Sequence, residues 1–172
     1  MRLRRKIFGF LTLIVGLSLI FPLILPLFYS VEANGNLTND GYKIFDEFVG
    51  MSTRFKALNG NFQPAFANMT SVCAVISIVL YGLFLIFFLL QLSKKGRLPT
   101  RAILKSISVT MILVAILTLI CSLTFVIMNK ITFNEKTLLS FKFAYGTYIL
   151  LIGSFLTGLF GVVAELKYRR KC

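Results

Sequence analysis

The stretch VCAVISIVLYGLFLIFFLLQL occupies residues 72–92 and contains no charged side chain. Because an α-helix rises about 1.5 Å per residue, roughly 20 apolar residues cross a hydrocarbon core of about 30 Å. The stretch therefore predicts a membrane-spanning helix. Three further apolar runs, at about 7–28, 102–128 and 143–164, predict three more. We expect an all-α membrane protein, a four-helix bundle that forms a single domain over residues 1–172.

The composition also favours the bilayer as the solvent. Of the 172 residues, 57% are hydrophobic and 15% are charged, whereas soluble domains carry about 25% charged residues. Histidine is absent, which excludes histidine-ligated metal sites and catalytic sites that use a histidine base. We found no catalytic, cofactor-binding or metal-binding pattern of another kind. The sequence therefore predicts a protein that is not an enzyme and that has no cofactor.

Basic residues are divided unequally between the two sides of the predicted spans. The N-terminus, the connection between the second and third runs up to Lys105, and the C-terminus together hold thirteen of the nineteen bases but one acid, Glu165. The other segments hold six bases and five acids. Because connections rich in Lys and Arg remain in the cytoplasm, both termini are predicted to be cytoplasmic. Topology thus explains the net charge of +13, and no basic stripe interleaved with aromatic residues predicts nucleic-acid binding.

The first apolar run, 7–28, follows four basic residues and has two interpretations. A cleaved signal peptide has an apolar region of about 7–15 residues, and this run is longer, so we expect a retained helix. Pro22 predicts a kink within it, which neighbouring helices can accommodate. The small-residue pattern that ends at Ala33 leaves cleavage of residues 1–33 as the alternative.

The long connection at residues 29–71 is the one sizeable segment outside the predicted spans. Five apolar residues within it recur at spacings of four and three, which places them on one face of a helix. We predict an amphipathic helix at about 41–58 that lies on the outer membrane surface or over the bundle. The connection also contains two acceptor patterns for N-glycosylation, at Asn36 and Asn68. The five residues of the predicted outer face are Ile44, Phe48, Met51, Phe55 and Leu58.

The fourth run contains small residues at helical spacing. Such residues let two helices approach closely. Within lipid the hydrophobic effect does not drive helices together, so close packing holds them in contact instead. We predict that this small-residue row packs within the bundle, and the alternatives are a contact with a partner membrane protein and a wall of a permeation path. The residues of the row are Gly153, Ser154, Thr157, Gly158 and Gly161.

Polar groups inside the predicted spans offer little chemistry. No carboxylate occupies the middle of any run, which disfavours proton-coupled or cation-coupled transport. The hydroxyls of Thr110, Thr118, Ser122 and Thr124 are expected to bond to their own helix backbone, and the alternative is that they line a polar route.

The three cysteines have separate interpretations. We expect Cys121 to lie roughly 8 Å deeper in the membrane than Cys73. Because the Cα atoms of a disulfide approach within about 7 Å, this offset disfavours a bond between the two thiols. Cys172 follows four bases close to the fourth run and is a candidate for acylation.

Four spans with a longer first outer connection resemble the layouts of claudins and tetraspanins. The claudin pattern Trp-Gly-Leu-Trp with two cysteines is absent, because the chain has no tryptophan and no cysteine between Tyr29 and Ser71. The large cysteine-containing loop of tetraspanins lies between the last two spans, where this chain has about a dozen residues. The resemblance is limited to topology and assigns no family.

Together these features favour a non-enzymatic accessory or scaffold subunit of a membrane protein complex. The expected location is the cell (plasma) membrane, and the expected partners are lipid, another membrane protein or a second copy of the chain. The basic clusters also fit anionic lipid headgroups at the cytoplasmic face. The alternative function is a small homo-oligomeric transporter, channel or lipid-handling protein, because four spans rarely enclose a pathway alone.

Overall fold

A computed structural model describes residues 2–32, 37, 41–44, 64–92, 100–133 and 136–165 of the chain. Within these ranges it contains four helices that are long and apolar enough to cross a membrane. The predicted number of helices that are able to span a membrane is therefore confirmed by their length and composition. The helices are α1 (Arg2–Gly16, continued by a 3₁₀ helix at Leu17–Leu23), α2 (Ala65–Leu92), α3 (Thr100–Met128) and α4 (Tyr145–Glu165).

The first span ends earlier than the predicted range of 7–28. Pro22 has no N–H to donate and its ring crowds the carbonyl one turn earlier, so an α-helix cannot continue through it without distortion. The chain winds into the 3₁₀ helix instead, which ends at Leu23. Phe28 already begins a β-strand. The predicted end was wrong because residues 24–27 form an apolar turn between the helix and the strand, and hydropathy does not distinguish such a turn from a helix.

The other three spans also have shifted starts. Helix α2 begins at Ala65 rather than at residue 72, α3 at Thr100 rather than at residue 102, and α4 at Tyr145 rather than at residue 143. The 28 residues of α2 measure about 42 Å, which exceeds a hydrocarbon core of about 30 Å. Its polar first turns, which include Asn68, therefore extend beyond the core or the helix tilts.

A three-stranded antiparallel sheet covers one end of the bundle, so the prediction of an all-α protein needs correction. Its strands are β1 (Phe28–Glu32), β2 (Ile131–Phe133) and β3 (Lys136–Phe143), in the order β1-β3-β2. Strand β1 pairs with β3 from Phe28 opposite Phe143 to Glu32 opposite Leu139. We call this end of the bundle the sheet end. The opposite end, which carries Lys6, Arg101 and Glu165, is the basic end.

The four helices are arranged with α4 between α1 and α3, while α2 packs against α3. The fourth edge of the bundle, between α1 and α2, is formed mainly by side chains that bridge the two helices. The core runs through the centre of this arrangement. Its most deeply buried apolar side chains include Leu19, Phe84, Leu104, Met111, Phe125 and Leu150.

The described part of the long outer connection returns to the sheet. The N–H of Tyr42 donates to the carbonyl of Phe28 at 2.7 Å, and the Leu27 N–H donates to the Tyr42 carbonyl at 2.6 Å. Gly41 has a φ of +85°, a left-handed conformation that favours glycine, and a Cβ there would approach the Pro26 side chain to 2.5 Å. Glycine at position 41 therefore permits the backbone turn that brings Tyr42 beside the sheet.

Candidate functional site

The small-residue row of α4 is buried inside the bundle. Gly153, Ser154, Thr157, Gly158 and Gly161 all lie against the chain's own helices or within α4. A Cβ on Gly153 would lie 2.8 Å from the Ser18 hydroxyl oxygen, on the 3₁₀ continuation of α1. A Cβ on Gly158 would lie 2.7 Å from a carbonyl oxygen of α3, and one on Gly161 would overlap a serine side chain of α3. The row thus packs α4 against two neighbouring helices of the same chain.

Polar side chains within the row also find partners inside the chain. The Ser154 hydroxyl lies 3.1 Å from the hydroxyl of Ser77 on α2, and both residues are fully buried. The Thr157 hydroxyl donates to the Gly153 carbonyl at 2.6 Å. Among the described residues, every buried side-chain nitrogen and oxygen has a hydrogen-bond partner. The core therefore contains polar atoms that are satisfied by protein groups rather than aimed at a ligand.

The hydroxyls that were candidates for a polar route bond to their own helix, as expected. Thr118 donates to the Val114 carbonyl at 2.7 Å, and Ser122 donates to the Leu119 carbonyl at 3.1 Å. Thr110 and Thr124 donate to the carbonyls four residues earlier, at 3.0 and 2.8 Å. Because each donor is used within α3, these four side chains do not offer a chain of free hydroxyls across the membrane.

Aromatic rings fill the core of the bundle in the half nearer the basic end. The rings of Phe84 and Phe88 stack with centroids 6.0 Å apart and an interplanar angle of 12°. Both side chains are almost completely buried, and Phe87 is half-buried against the same core. Large buried rings at this level leave the centre of a single chain filled by side chains.

The edge between α1 and α2 is built from two aromatic rings of α2 and two glycines of α1. A Cβ on Gly9 would overlap the ring of Phe88, and a Cβ on Gly16 would overlap the ring of Tyr81. The two glycines are seven residues apart, and so are the two aromatic residues, which is about two helical turns in each helix. The two helices run in opposite directions, so Gly9 faces Phe88 and Gly16 faces Tyr81. The Tyr81 hydroxyl also donates to the Leu13 carbonyl at 2.8 Å. We call this edge the α1–α2 seam, defined by Gly9, Gly16, Tyr81 and Phe88.

An aromatic cluster lies under the sheet and fills the sheet end of the bundle. Phe125, near the end of α3, lies between Phe28 of β1 and Phe141 of β3, with centroid distances of 4.6 and 4.8 Å. All three rings are at most 1% exposed. The sheet therefore has a packed apolar underside.

The start of α4 is joined to the turn that follows the first span. The Gly146 N–H donates to the Pro26 carbonyl at 2.9 Å, and the Thr147 hydroxyl donates to the Leu27 carbonyl. A Cβ on Gly146 would lie 2.5 Å from the Pro26 carbonyl oxygen, so only glycine permits this approach of the two backbones. The turn carbonyls thereby accept bonds from the first turn of α4, whose N–H groups have no partner within the helix.

At the basic end, an ion pair joins α3 to α4. The Arg101 guanidinium Nε lies 3.3 Å from the Glu165 Oε2 atom. The Glu165 carboxylate is buried, whereas the Arg101 side chain remains partly exposed. The sequence places both residues next to the membrane boundary, but hydropathy alone does not pair them.

The outer surface of the spans is apolar. On α2, exposed large side chains recur at spacings of three and four residues, which marks a continuous stripe on one side of the helix. Such a stripe is typical of a helix side that faces lipid. Its residues are Met69, Val72, Ile76, Val79, Leu83 and Ile86.

The predicted outer amphipathic face is mostly outside the described residues. Ile44 is described, is half-buried and packs against the core. Residues 41–44 are not helical, so a helix in this connection would begin after them. Phe48, Met51, Phe55 and Leu58 lie outside the described residues, and the helix remains a prediction.

Chemistry beyond packing is sparse in the described part of the chain. There, no group of three or more His, Cys, Asp and Glu side chains is arranged to hold a metal ion. Cys73 and Cys121 are free and buried. The candidate functional surfaces are therefore the faces that remain accessible: the sheet end, the lipid-facing stripes and the outer side of the α1–α2 seam.

Comparison with models of protein families, with curated proteins and with solved structures found no match to this chain.

Proposed function

We propose that this protein is a non-enzymatic accessory or scaffold subunit of a membrane protein complex in the cell (plasma) membrane. The observation that carries the proposal is the closed interior of the bundle. Phe84 and Phe88 fill the core in the half of the bundle nearer the basic end, and the hydroxyls of α3 are bonded to their own backbone. A chain whose interior is filled acts through its outer surfaces, which favours binding to another protein over conduction through a single copy.

The arrangement of the helices narrows the choice of binding surface. The small-residue row of α4 packs against the chain's own helices, so it is not accessible to a partner. We therefore assign the partner contact to the outer connection, through the predicted face that contains Phe48 and Phe55. The ordered sheet beside this connection supports the assignment, because it ties the connection to the bundle through Tyr42.

The test is the composition of the complex in native membranes. The protein is extracted in a gentle detergent, the mass of the intact complex is measured, and its components are identified. A second protein in fixed stoichiometry supports the subunit role. Recovery of the chain only as a homo-oligomer contradicts it and favours the alternative, a homo-oligomeric transporter, channel or lipid-handling protein. Flux of an uncharged solute into reconstituted vesicles then tests that alternative.

Variants of the outer connection test the assigned surface. Replacement of Phe48 and Phe55 by Asp places charges on the predicted apolar face and should abolish recovery of the partner. Thr53→Asp is the matched control, since residue 53 falls on the opposite face of the same predicted helix. Equal recovery of the partner by the double variant and the control would show that this face does not bind it. Protease mapping of the inserted protein confirms that each variant keeps its topology.

A further inference from the structure

Two exposed tyrosines lie at the sheet end of α4. The side chain of Tyr145 is 69% exposed and that of Tyr148, one turn later, is 51% exposed. The other described tyrosines, Tyr29, Tyr42 and Tyr81, are half-buried or buried. On the lipid-facing side of membrane helices, tyrosine concentrates where the hydrocarbon meets the headgroups, because its ring is apolar and its hydroxyl needs a hydrogen-bond partner. The pair therefore indicates the level of a membrane boundary.

The lengths of α4 and of the first span agree with this boundary. Tyr145 and Glu165 are twenty residues apart, about 30 Å along the axis of α4, which equals the thickness of a hydrocarbon core. The first span extends about 29 Å from the exposed Lys6 to Leu23, because its α-helical part rises about 1.5 Å per residue and its 3₁₀ part about 2.0 Å. The two spans end at one level, since the first turn of α4 bonds to the turn that follows Leu23.

Helix α3 extends farther at the sheet end. Gly158 of α4 approaches α3 between Ser108 and Ile112, and it follows Tyr145 by thirteen residues. Because the two helices are antiparallel, the level of Tyr145 corresponds to about residue 123 of α3, and Met128 lies about 7.5 Å beyond it. Met128 is 50% exposed and apolar, so hydropathy alone would place the boundary at the end of α3. That boundary would leave both tyrosine hydroxyls in hydrocarbon, where neither has a hydrogen-bond partner among the described residues.

A ring contact joins the sheet to the tyrosines. The Phe143 ring at the end of β3 meets the Tyr148 ring edge-on, with centroids 5.9 Å apart and an interplanar angle of 88°. Phe143 also packs against Phe28 of β1, with centroids 6.4 Å apart. These contacts hold the Tyr148 ring in position and place the paired ends of the two strands beside it.

We propose that Tyr145 and Tyr148 bind the phospholipid headgroup layer at the sheet end and thereby set the depth of the bundle in the membrane. The two hydroxyls donate to ester and phosphate oxygens of the lipids, while the rings lie at the edge of the hydrocarbon. The sheet then lies at the level of the headgroups or beyond, and the last turn of α3 extends past the hydrocarbon. This lipid contact requires no partner subunit, so its test is independent of the proposed function.

Tryptophan fluorescence in vesicles measures the depth directly, because the chain contains no tryptophan of its own. Tyr145→Trp keeps an aromatic ring with a hydrogen-bond donor at this position. The full-length variant is reconstituted into phosphatidylcholine vesicles whose acyl chains carry bromine either near the headgroup or near the bilayer centre. We expect stronger quenching by the shallow bromine. Phe155→Trp, at a 44% exposed position ten residues along α4, should be quenched more by the deep bromine, since about 15 Å separates the two levels.

Met128→Trp distinguishes the two possible boundaries. It should be quenched less than Tyr145→Trp by bromine at either depth, because its level lies beyond the hydrocarbon. Stronger quenching of Tyr145→Trp by the deep bromine, together with strong quenching of Met128→Trp by the shallow bromine, would place the boundary at the end of α3 and overturn the proposal.

Removal of the tyrosines tests whether they set the depth. In the Phe155→Trp background, Tyr145→Leu with Tyr148→Leu should change the ratio of deep to shallow quenching, because the bundle loses its contact with the headgroups. Tyr145→Leu alone, which leaves the contact between Phe143 and Tyr148 intact, should change the ratio in the same direction. Ile152→Leu, on the same exposed side of α4, is the matched control and should keep the ratio of the Phe155→Trp parent. Thermal unfolding confirms that each variant is folded, and an unchanged ratio in both tyrosine variants overturns the proposal.

Discussion

The Arg101 guanidinium at the start of α3 contacts both the side-chain carboxylate and the backbone carbonyl of Glu165 at the end of α4. The guanidinium Nε lies 3.3 Å from the carboxylate Oε2 atom, and Nη2 donates to the Glu165 backbone carbonyl at 3.1 Å. The Glu165 side chain is 1% exposed and that of Arg101 is 37% exposed. One arginine therefore neutralises a buried carboxylate and caps the last turn of α4, where the helix dipole favours positive charge.

Removal of the guanidinium should destabilise the bundle more than removal of the carboxylate charge. Arg101→Leu leaves the Glu165 carboxylate buried without this partner, a change that costs about 3–5 kcal/mol in fully buried pairs. Because Arg101 is partly exposed, we expect a loss of about 2 kcal/mol in the free energy of unfolding. Glu165→Gln keeps the backbone acceptor and removes the charge, so its loss should be smaller, about 1 kcal/mol.

A double-mutant cycle in detergent measures this coupling. The double variant Arg101→Leu, Glu165→Leu should recover part of the stability lost in Arg101→Leu, because it leaves no buried charge. Losses that simply add in the double variant would mean that the two side chains do not stabilise each other in the folded protein.

Two glycines in different helices should respond in opposite ways to alanine. A Cβ on Gly158 lies 2.7 Å from the Ser108 carbonyl oxygen and 3.1 Å from the Ile112 nitrogen, both backbone atoms of α3. Backbone cannot rotate away, so Gly158→Ala should separate α3 from α4 and cost about 2 kcal/mol. Gly82→Ala meets nothing and should be neutral, or stabilising by up to about 1 kcal/mol through helix propensity. Thermal unfolding of the two variants in one detergent gives the comparison, and equal melting temperatures would contradict it.

The number of spans could be predicted from the sequence, because a helix that crosses a bilayer must be long and apolar. Charged residues mark where each apolar run begins and ends. The sheet could not be predicted in the same way. Phe28 at the start of β1 still belongs to the apolar run that predicts the first span, and hydropathy does not show that the helix has already ended there. Strand β3 is similarly apolar at Phe141 and Phe143, next to the fourth span. Their pairing joins segments more than a hundred residues apart, for which local patterns carry no signal.

The packing role of the α4 row was predictable, whereas its partners were not. Small residues four apart indicate close helix contact, but the same spacing fits a contact within the chain or with another protein. The choice depends on the shapes of the other helices. Gly9 and Gly16 on α1 repeat after seven residues, as do Tyr81 and Phe88 on α2, and this shared repeat was a signal that could have indicated the α1–α2 seam.

The mature protein should retain its first helix. Thr12 and Leu19 are fully buried in the bundle, and β1 pairs along its length with β3. Cleavage after Ala33 would remove α1, its 3₁₀ continuation and β1, and would expose the faces of α2 and α4 that they cover. We therefore expect the intact mass of the purified protein to include residues 1–33. A mass that corresponds to a chain beginning at Asn34 would contradict this packing and restore the signal-peptide interpretation.

The Tyr81 hydroxyl should contribute a modest, measurable part of the stability of the α1–α2 seam. It donates to the Leu13 carbonyl at 2.8 Å, just before the α-helix changes to a 3₁₀ helix. Hydrogen bonds between membrane helices contribute about 0.6 kcal/mol on average, so Tyr81→Phe should lower the free energy of unfolding by about that amount. Tyr148→Phe, at an exposed position on α4, is the matched control. Steric trapping or thermal unfolding of both variants tests whether the hydroxyl of Tyr81 matters more than that of Tyr148.

The aromatic cluster at the sheet end should decide whether the sheet stays attached to the bundle. Phe125 is fully buried between Phe28 and Phe141, so Phe125→Ala removes a ring that contacts two strands and leaves a cavity. Replacement of a buried phenylalanine by alanine costs about 3–5 kcal/mol. Tyr145→Ala is the control, because that ring is 69% exposed and its removal should change stability by no more than about 0.5 kcal/mol. We expect the loss in Phe125→Ala to be accompanied by faster hydrogen exchange in β1 and β3, while the central turns of α2 remain protected. Uniform loss of protection in strands and helices would instead show that the sheet and the bundle unfold as one unit.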